Sequence, residues 1–127
     1  MTSTMVVMTA LTLRDGPDDA PVTFLLAHGA GAPMDSPFMQ SVAEGLAQRQ
    51  WAVVRFEFPY MQRTRLTGKK AAPDRMPVLE ACFREQVQAL SGCSKLIVGG
   101  KSMGGRVASQ LLDYLATSAP VVAGVCL

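Results

Sequence analysis

Histidine is almost missing from this chain: its 127 residues include one, His28. A metal centre built on several imidazoles is thereby excluded, and any chemistry that needs a histidine base has a single candidate. Cysteine is scarce as well. Cys82, Cys93 and Cys126 are odd in number, widely spaced and set in apolar or helix-end contexts, which argues against a disulfide framework or a metal cluster and reads as reduced thiols of a cytoplasmic protein. No apolar run is long enough to span a membrane. The apolar stretch 5–13 has no basic flank before it and runs into Arg14-Asp15-Gly16-Pro17, so it reads as a strand and not as a signal peptide. Neither sign of charge dominates: a formal net charge of +2 makes no electrostatic case for nucleic acid. No repeat or low-complexity segment appears. The expectation is a protein without metal or cofactor and without a nucleic-acid or membrane partner.

What is present is globular, with 49% apolar and 17% charged residues in a length that suits one domain, 1–127. The patterning predicts strands near 5–13, 22–28, 51–58, 95–100 and 120–127, with Asp15-Gly16-Pro17-Asp18-Asp19 as the turn between the first two. Helices fit 37–49, 77–91 and 103–117. The first has Ser36 as cap, Pro37 at its opening and Phe38, Val42 and Leu46 on one face. The second opens at Pro77, repeats Leu79, Phe83, Val87 and Leu90, and ends at Gly92. Strands alternating with helices predict an α/β fold: an open, mostly parallel sheet with right-handed crossovers, in three α/β/α layers. Residues 59–76 read as the longest loop. It holds Arg63, Arg65, Lys69, Lys70 and Arg75 against one acid, Asp74. Such a loop borders the ligand end of a parallel sheet and either attracts an anionic substrate group or is simply solvated.

The most informative residues are Leu96-Ile97-Val98-Gly99-Gly100-Lys101-Ser102-Met103-Gly104-Gly105. A short apolar strand enters a G-x-S-x-G match, Gly100 to Gly104, and an amphipathic segment with Val107, Leu111 and Leu115 leaves it. That strand, turn and helix context makes the pattern a nucleophile elbow, with Ser102 as the nucleophile. Serine on so tight a turn takes a strained backbone, and glycines two residues before and after let strand and helix pass closely. The bland alternative is a tight connection only. A phosphate loop is the sharper rival, because Gly100-Lys101-Ser102 looks like its end. That motif needs glycine where Lys95 stands and a wide loop where the strand runs.

A second glycine turn follows another apolar strand, Phe24-Leu25-Leu26-Ala27-His28-Gly29-Ala30-Gly31. An acyl-transfer site must point backbone N–H groups at a developing oxyanion. One would come from Met103, at the start of a helix, where free N–H groups favour an anion. The other would come from Ala30, with Gly31 as the alternative. A dinucleotide fingerprint fails because Met34 stands where its last glycine would be. His28 sits at the strand tip beside this loop, a place suited to orienting the loop by hydrogen bonding more than to acting as base. Gly31, Tyr60 and Arg63 are the candidate substrate contacts.

Three motifs in order, Leu26-Ala27-His28-Gly29-Ala30-Gly31-Ala32, Arg55-Phe56-Glu57-Phe58-Pro59-Tyr60 and Gly99-Gly100-Lys101-Ser102-Met103-Gly104-Gly105, resemble the amino-terminal half of an α/β-hydrolase. More narrowly they resemble a bacterial subgroup related to dienelactone hydrolases and to a testis-expressed and chromatin-complex branch in animals. The resemblance implies a serine hydrolase acting on a carboxylic ester, thioester or lactone as its small acyl substrate. It also implies a triad in the order Ser, then Asp or Glu, then His. After Ser102 the chain offers no histidine and one acid, Asp113, which falls in mid-helix and reads as solvated. The last strand is apolar on both faces, as interior parallel strands are, so the expectation is a truncated amino-terminal part whose triad partners lie elsewhere. Such a chain would be inactive alone and would offer its 120–127 edge to a second copy, as a homodimer. The alternative is a hydrolase fold used as a non-catalytic scaffold for protein contacts. A nucleotide site through Gly-Lys-Ser is a third reading.

Overall fold

The computed structural model describes residues 11–118 and 121–127. Its elements run β1 (Thr12–Asp15), β2 (Thr23–Ala27), α1 (Pro37–Gln48), β3 (Ala52–Phe56), α2 (Pro59–Thr67), α3 (Met76–Ala89), β4 (Leu96–Gly100), α4 (Met103–Ser118) and β5 (Val121–Cys126). The predicted first strand is described only from its end, since residues 5–10 lie outside the described residues, as does Pro120 of the predicted last strand.

The strands form one five-stranded sheet in the order β1-β3-β2-β4-β5. β1 is antiparallel to β3, and the other pairings are parallel, with Leu25 opposite both Val54 and Val98. β5 lies against β4 at the other edge, Gly100 opposite Cys126. Every residue of β2 and β3 is buried, as both-sided covering of a parallel sheet requires.

Alternation along the strands sorts the core into two layers. Leu25, Ala27, Val54, Phe56 and Val98 pack with Leu79, Phe83 and Val87 of α3 and with Val107, Leu111 and Leu115 of α4. Phe24, Leu26 and Val53 face the other way, onto Met39 and Ala43 of α1. The result is the expected three-layer α/β/α arrangement. The helix boundaries have local causes. Ser36 Oγ accepts from the Met39 N–H at 3.4 Å, with Pro37 following as the first helical residue.

One expectation is overturned. Residues 59–67, read as part of a long loop, form α2. Pro59 opens the helix with its fixed φ, and Gly68 closes it in the left-handed conformation at φ +73°, its N–H on Thr64 O. Both punctuation marks stand in the sequence. The helix lacks the apolar stripe that announces an amphipathic one, because only Tyr60 and Met61 are buried.

Candidate active site

The site is built where β2 and β4 end side by side. Ser102 follows β4 and is exposed, with φ +51°. A serine rarely takes positive φ, and the fold imposes it here by pinning both sides of the turn. Lys101 N–H donates to Ala27 O at 3.0 Å and Ser102 N–H to Leu127 O at 3.1 Å, while Leu127 N–H returns to Gly100 O at 2.9 Å. The flanking glycines are required by space. A Cβ on Gly100 would stand 2.5 Å from Ala27 O, and one on Gly104 would stand 2.5 Å from His28 O. Helix α4 starts at Met103, so its opening N–H groups have no partner four residues back within the helix, and that of Gly104 is taken by Lys101 O at 3.0 Å.

The second turn is held from beneath. His28 is fully buried. Its Nδ1 donates to Gly29 O at 2.7 Å and its Nε2 accepts from the Phe58 N–H at 3.1 Å, an arrangement that fits the neutral ring. Burial pushes its pKa below the ordinary histidine value, against the raising effect of the Gly29 carbonyl and of Glu57. Both ring nitrogens are therefore occupied by backbone. Tyr60, expected at the substrate, is 1% exposed and lies under the loop, its hydroxyl donating to Ala30 O at 2.8 Å.

Two charged side chains of the Arg55-Phe56-Glu57 run are buried on the α1 side of the sheet. Arg55 donates to Met34 O, Gln40 Oε1 and Asp15 Oδ1 at 3.1, 3.0 and 2.8 Å. Glu57 accepts from the Met34 N–H at 3.2 Å and takes two bonds from Arg65, whose guanidinium also reaches Asp35. Strict alternation of charge and phenylalanine in a strand otherwise apolar was the available signal: residues 55 and 57 share one face, and a charge there must find partners.

A cavity of about 470 Å³ opens beside the loop, lined by Ala30, Gly31, Pro33, Met61, Thr64, Arg65, Lys70 and Ala71. The structure thus brings Ala30 and Gly31 to a cavity wall. Arg63, the expected substrate contact, is drawn off to Asp74 at 3.2 Å. Of the basic residues in 59–76, Arg65 and Lys70 line the cavity, and the Arg65 charge is matched by the two carboxylates it binds. Lys101 of the Gly-Lys-Ser run directs its ammonium over the Phe38 ring, 5.3 Å from the centroid, and β4 runs straight into the turn. A strand occupies the place where a phosphate-cradling loop would precede the lysine, which counts against the nucleotide reading. Asp113 is exposed on α4, as expected. Among the described residues there is no cluster that would hold a metal ion and no helix long and apolar enough to cross a membrane.

An open, mostly parallel sheet carrying a positive-φ serine at a strand-to-helix elbow defines the α/β-hydrolase fold. A family model of the alpha/beta hydrolase domain matches residues 20–127, and the chain belongs to that family. No curated protein matches significantly. Solved structures of similar fold include an alpha/beta serine hydrolase without lid from Xanthomonas campestris, with 22% identity and a TM-score of 0.64 over 91% of this chain and 59% of that one. A monoacylglycerol lipase from Paleococcus ferrophilus has 18% identity and a TM-score of 0.64 over 94% of this chain and 44% of its own. Est1E from Butyrivibrio proteoclasticus, solved with ferulic acid bound, has 14% identity and a TM-score of 0.64 over 81% of this chain and 44% of its own. At these identities the likeness establishes the fold. The chain spans between 44% and 59% of the length of these three structures.

Proposed function

We propose that this chain supplies the nucleophile and oxyanion half of a serine hydrolase acting on a carboxylic ester, thioester or lactone. The observation that carries the reading is Ser102 itself: exposed, at φ +51°, on a turn pinned to the ends of β2 and β5. Of the two described non-glycine residues with positive φ, Gln50 and Ser102, only Ser102 carries a nucleophilic group, and strain of this kind clusters at active sites. In the proposed reaction Ser102 Oγ attacks the acyl carbon, and the carbonyl electron pair moves onto oxygen. The Met103 and Ala30 amides hold that oxyanion. Collapse expels the alcohol or thiol and leaves an acyl-serine, which water then hydrolyses. The cavity beside Ala30 and Gly31 suits an apolar portion of the substrate.

The proton acceptor is not His28, because both of its nitrogens are engaged by backbone. We assign the base and its acid to sequence beyond residue 127, so that the 127-residue chain is the amino-terminal part of one catalytic domain and turns over little by itself. The narrower kinship, with the dienelactone-hydrolase-like bacterial subgroup, and a cytoplasmic location belong to the same proposal. The test is labelling of the full-length protein by a fluorophosphonate probe. Ser102→Ala is expected to abolish both labelling and turnover of a small ester, and labelling that survives the substitution sinks the assignment.

A second reading is a hydrolase fold kept as a scaffold for protein contacts. A downstream sequence without an acid at a strand end and a late histidine would select it.

A further inference from the structure

The loop that carries the second oxyanion donor has almost no side chains of its own. Gly29, Ala30 and Gly31 offer one methyl group among them, so nothing local stops their peptide planes from turning. Yet both planes are held by side chains, one from the adjacent His28 and one from Tyr60, 30 residues on. Gly29 O accepts from His28 Nδ1 at 2.7 Å and lies 3.5 Å from the Tyr60 hydroxyl. Ala30 O accepts from the same hydroxyl at 2.8 Å. In a planar trans peptide the N–H points opposite to the carbonyl, and no peptide among the described residues is cis. Fixing Gly29 O toward the buried rings therefore turns the Ala30 N–H away from them. Fixing Ala30 O does the same for the Gly31 N–H. Ala30 and Gly31 line a cavity whose other walls include Met61, Thr64 and Arg65 of α2.

Tyr60 is itself firmly seated. Its ring meets His28 edge-on at 5.8 Å between centroids. Its N–H, in the first turn of α2, donates to Asp74 Oδ2 at 2.8 Å, and Asp74 Oδ1 is held by Arg63 at 3.2 Å. Burial and the nearby Asp74 raise the phenol pKa to about 12, so the hydroxyl keeps its proton, and its role as donor, across the working range of pH. A phenylalanine would fill the same space without a polar atom to satisfy. The hydroxyl's partner is the loop.

We propose that Tyr60 is a positioning residue of the oxyanion loop: its hydroxyl, with the His28 ring, locks two consecutive peptide planes so that the Ala30 amide, with Gly31 as the alternative donor, aims at the oxyanion of Ser102 chemistry. This rests on the serine-hydrolase reading above. A plane released from Tyr60 can turn a carbonyl toward the place an N–H should occupy, which repels the oxyanion and leaves the resting substrate little affected.

The experiment compares wild type, Tyr60→Phe and Ser102→Ala in the full-length protein, with a p-nitrophenyl ester as substrate and a trifluoromethyl ketone as transition-state mimic. Tyr60→Phe is expected to lower kcat by at least ~10-fold, less than the roughly 10²–10³-fold cost of removing a donor outright because the amide is misaimed and not deleted, with KM unchanged and the ketone Ki raised in proportion. Should Tyr60→Phe not fold, Asp74→Ala keeps the hydroxyl and frees the Tyr60 N–H, and the same split is expected at smaller size. An unchanged kcat, or a loss confined to KM, overturns the positioning role while leaving the serine reading intact. Turnover that Ser102→Ala does not reduce overturns both.

Discussion

Arg65 closes a two-bond clamp on Glu57, with Nη2 2.6 Å from Oε2 and Nε 2.9 Å from Oε1. The Glu57 side chain is 2% exposed and that of Arg65 35%. Because Glu57 also accepts from the Met34 N–H, the clamp ties α2 to the loop after β2, the loop that begins with the candidate oxyanion donors. Removing the cation would leave a buried carboxylate with one backbone partner. Arg65→Met is expected to lower stability by about 2 kcal/mol, less than a fully buried pair because the guanidinium is partly solvated. Glu57→Gln added to it should recover part of the loss. An unchanged urea midpoint for Arg65→Met would refute the clamp.

The same guanidinium holds Asp35 below the ordinary carboxylate range, chiefly through its hydrogen bond. A carboxyl depressed in the folded state contributes stability that is present above its unfolded pKa and is lost as pH falls through the depressed value. Asp35→Asn should therefore flatten the acid limb of a plot of urea midpoint against pH. A limb as steep as that of wild type would rule this contribution out.

His28 gives a second pH dependence. Its pKa is lowered by burial, so the unfolded chain takes up the proton first as pH falls. Stability contributed by the neutral ring is complete above about 6.5, the ordinary histidine value, and declines as pH falls toward the lowered one. Protonation also puts a proton on Nε2, which then cannot accept from the Phe58 N–H. The chain has no other histidine, so its ring proton signals are unambiguous in a magnetic resonance titration. They are expected to titrate below 6.5. A midpoint above that value would contradict the buried neutral ring.

The elements that bury one stripe or both faces were legible in the sequence. The apolar strands at 22–28, 51–58 and 95–100, the capped helix after Ser36 and the elbow at Ser102 all follow from periodicity and from glycine and proline placement. What escaped was set by partners distant in sequence. The α2 helix has no apolar stripe, because it sits at the end of the sheet and buries little beyond Tyr60 and Met61. Arg63 reads as a free cation until Asp74, 11 residues on, is brought beside it. Tyr60 reads as a substrate contact, and only the crossing of α2 beneath residues 29–31 turns its hydroxyl to Ala30 O. The oxyanion amides themselves were placed by motif alone, since a backbone N–H leaves no mark on a sequence.

The elbow makes opposite predictions for two substitutions a step apart. Ser102→Gly removes a Cβ from a left-handed residue and should raise stability by about 1 kcal/mol while removing the nucleophile. Gly104→Ala adds a Cβ that would meet His28 O at 2.5 Å and the Ala27 side chain at 2.8 Å, and should cost about 1–3 kcal/mol as β2 and α4 are forced apart. Thermal melts of the two variants should move in opposite directions from wild type. A Ser102→Gly variant less stable than wild type would show that the turn is not strained at that residue.

β5 is the edge on which association should turn. It pairs with β4 on one side, and its other side carries the N–H and C=O groups of an open edge in the described sheet. Ala123, Gly124 and Cys126 are exposed, without a lysine or proline to discourage pairing. We expect the 127-residue chain to self-associate through this edge, the strand of one copy continuing the sheet of another. Ala123→Lys, which puts a charge on the exposed edge, should shift the chain toward monomer without altering Ser102 or the cavity. Light scattering over a range of concentrations decides the matter. A cooperatively folding monomer at high concentration, unchanged by Ala123→Lys, would show that β5 is protected as it stands.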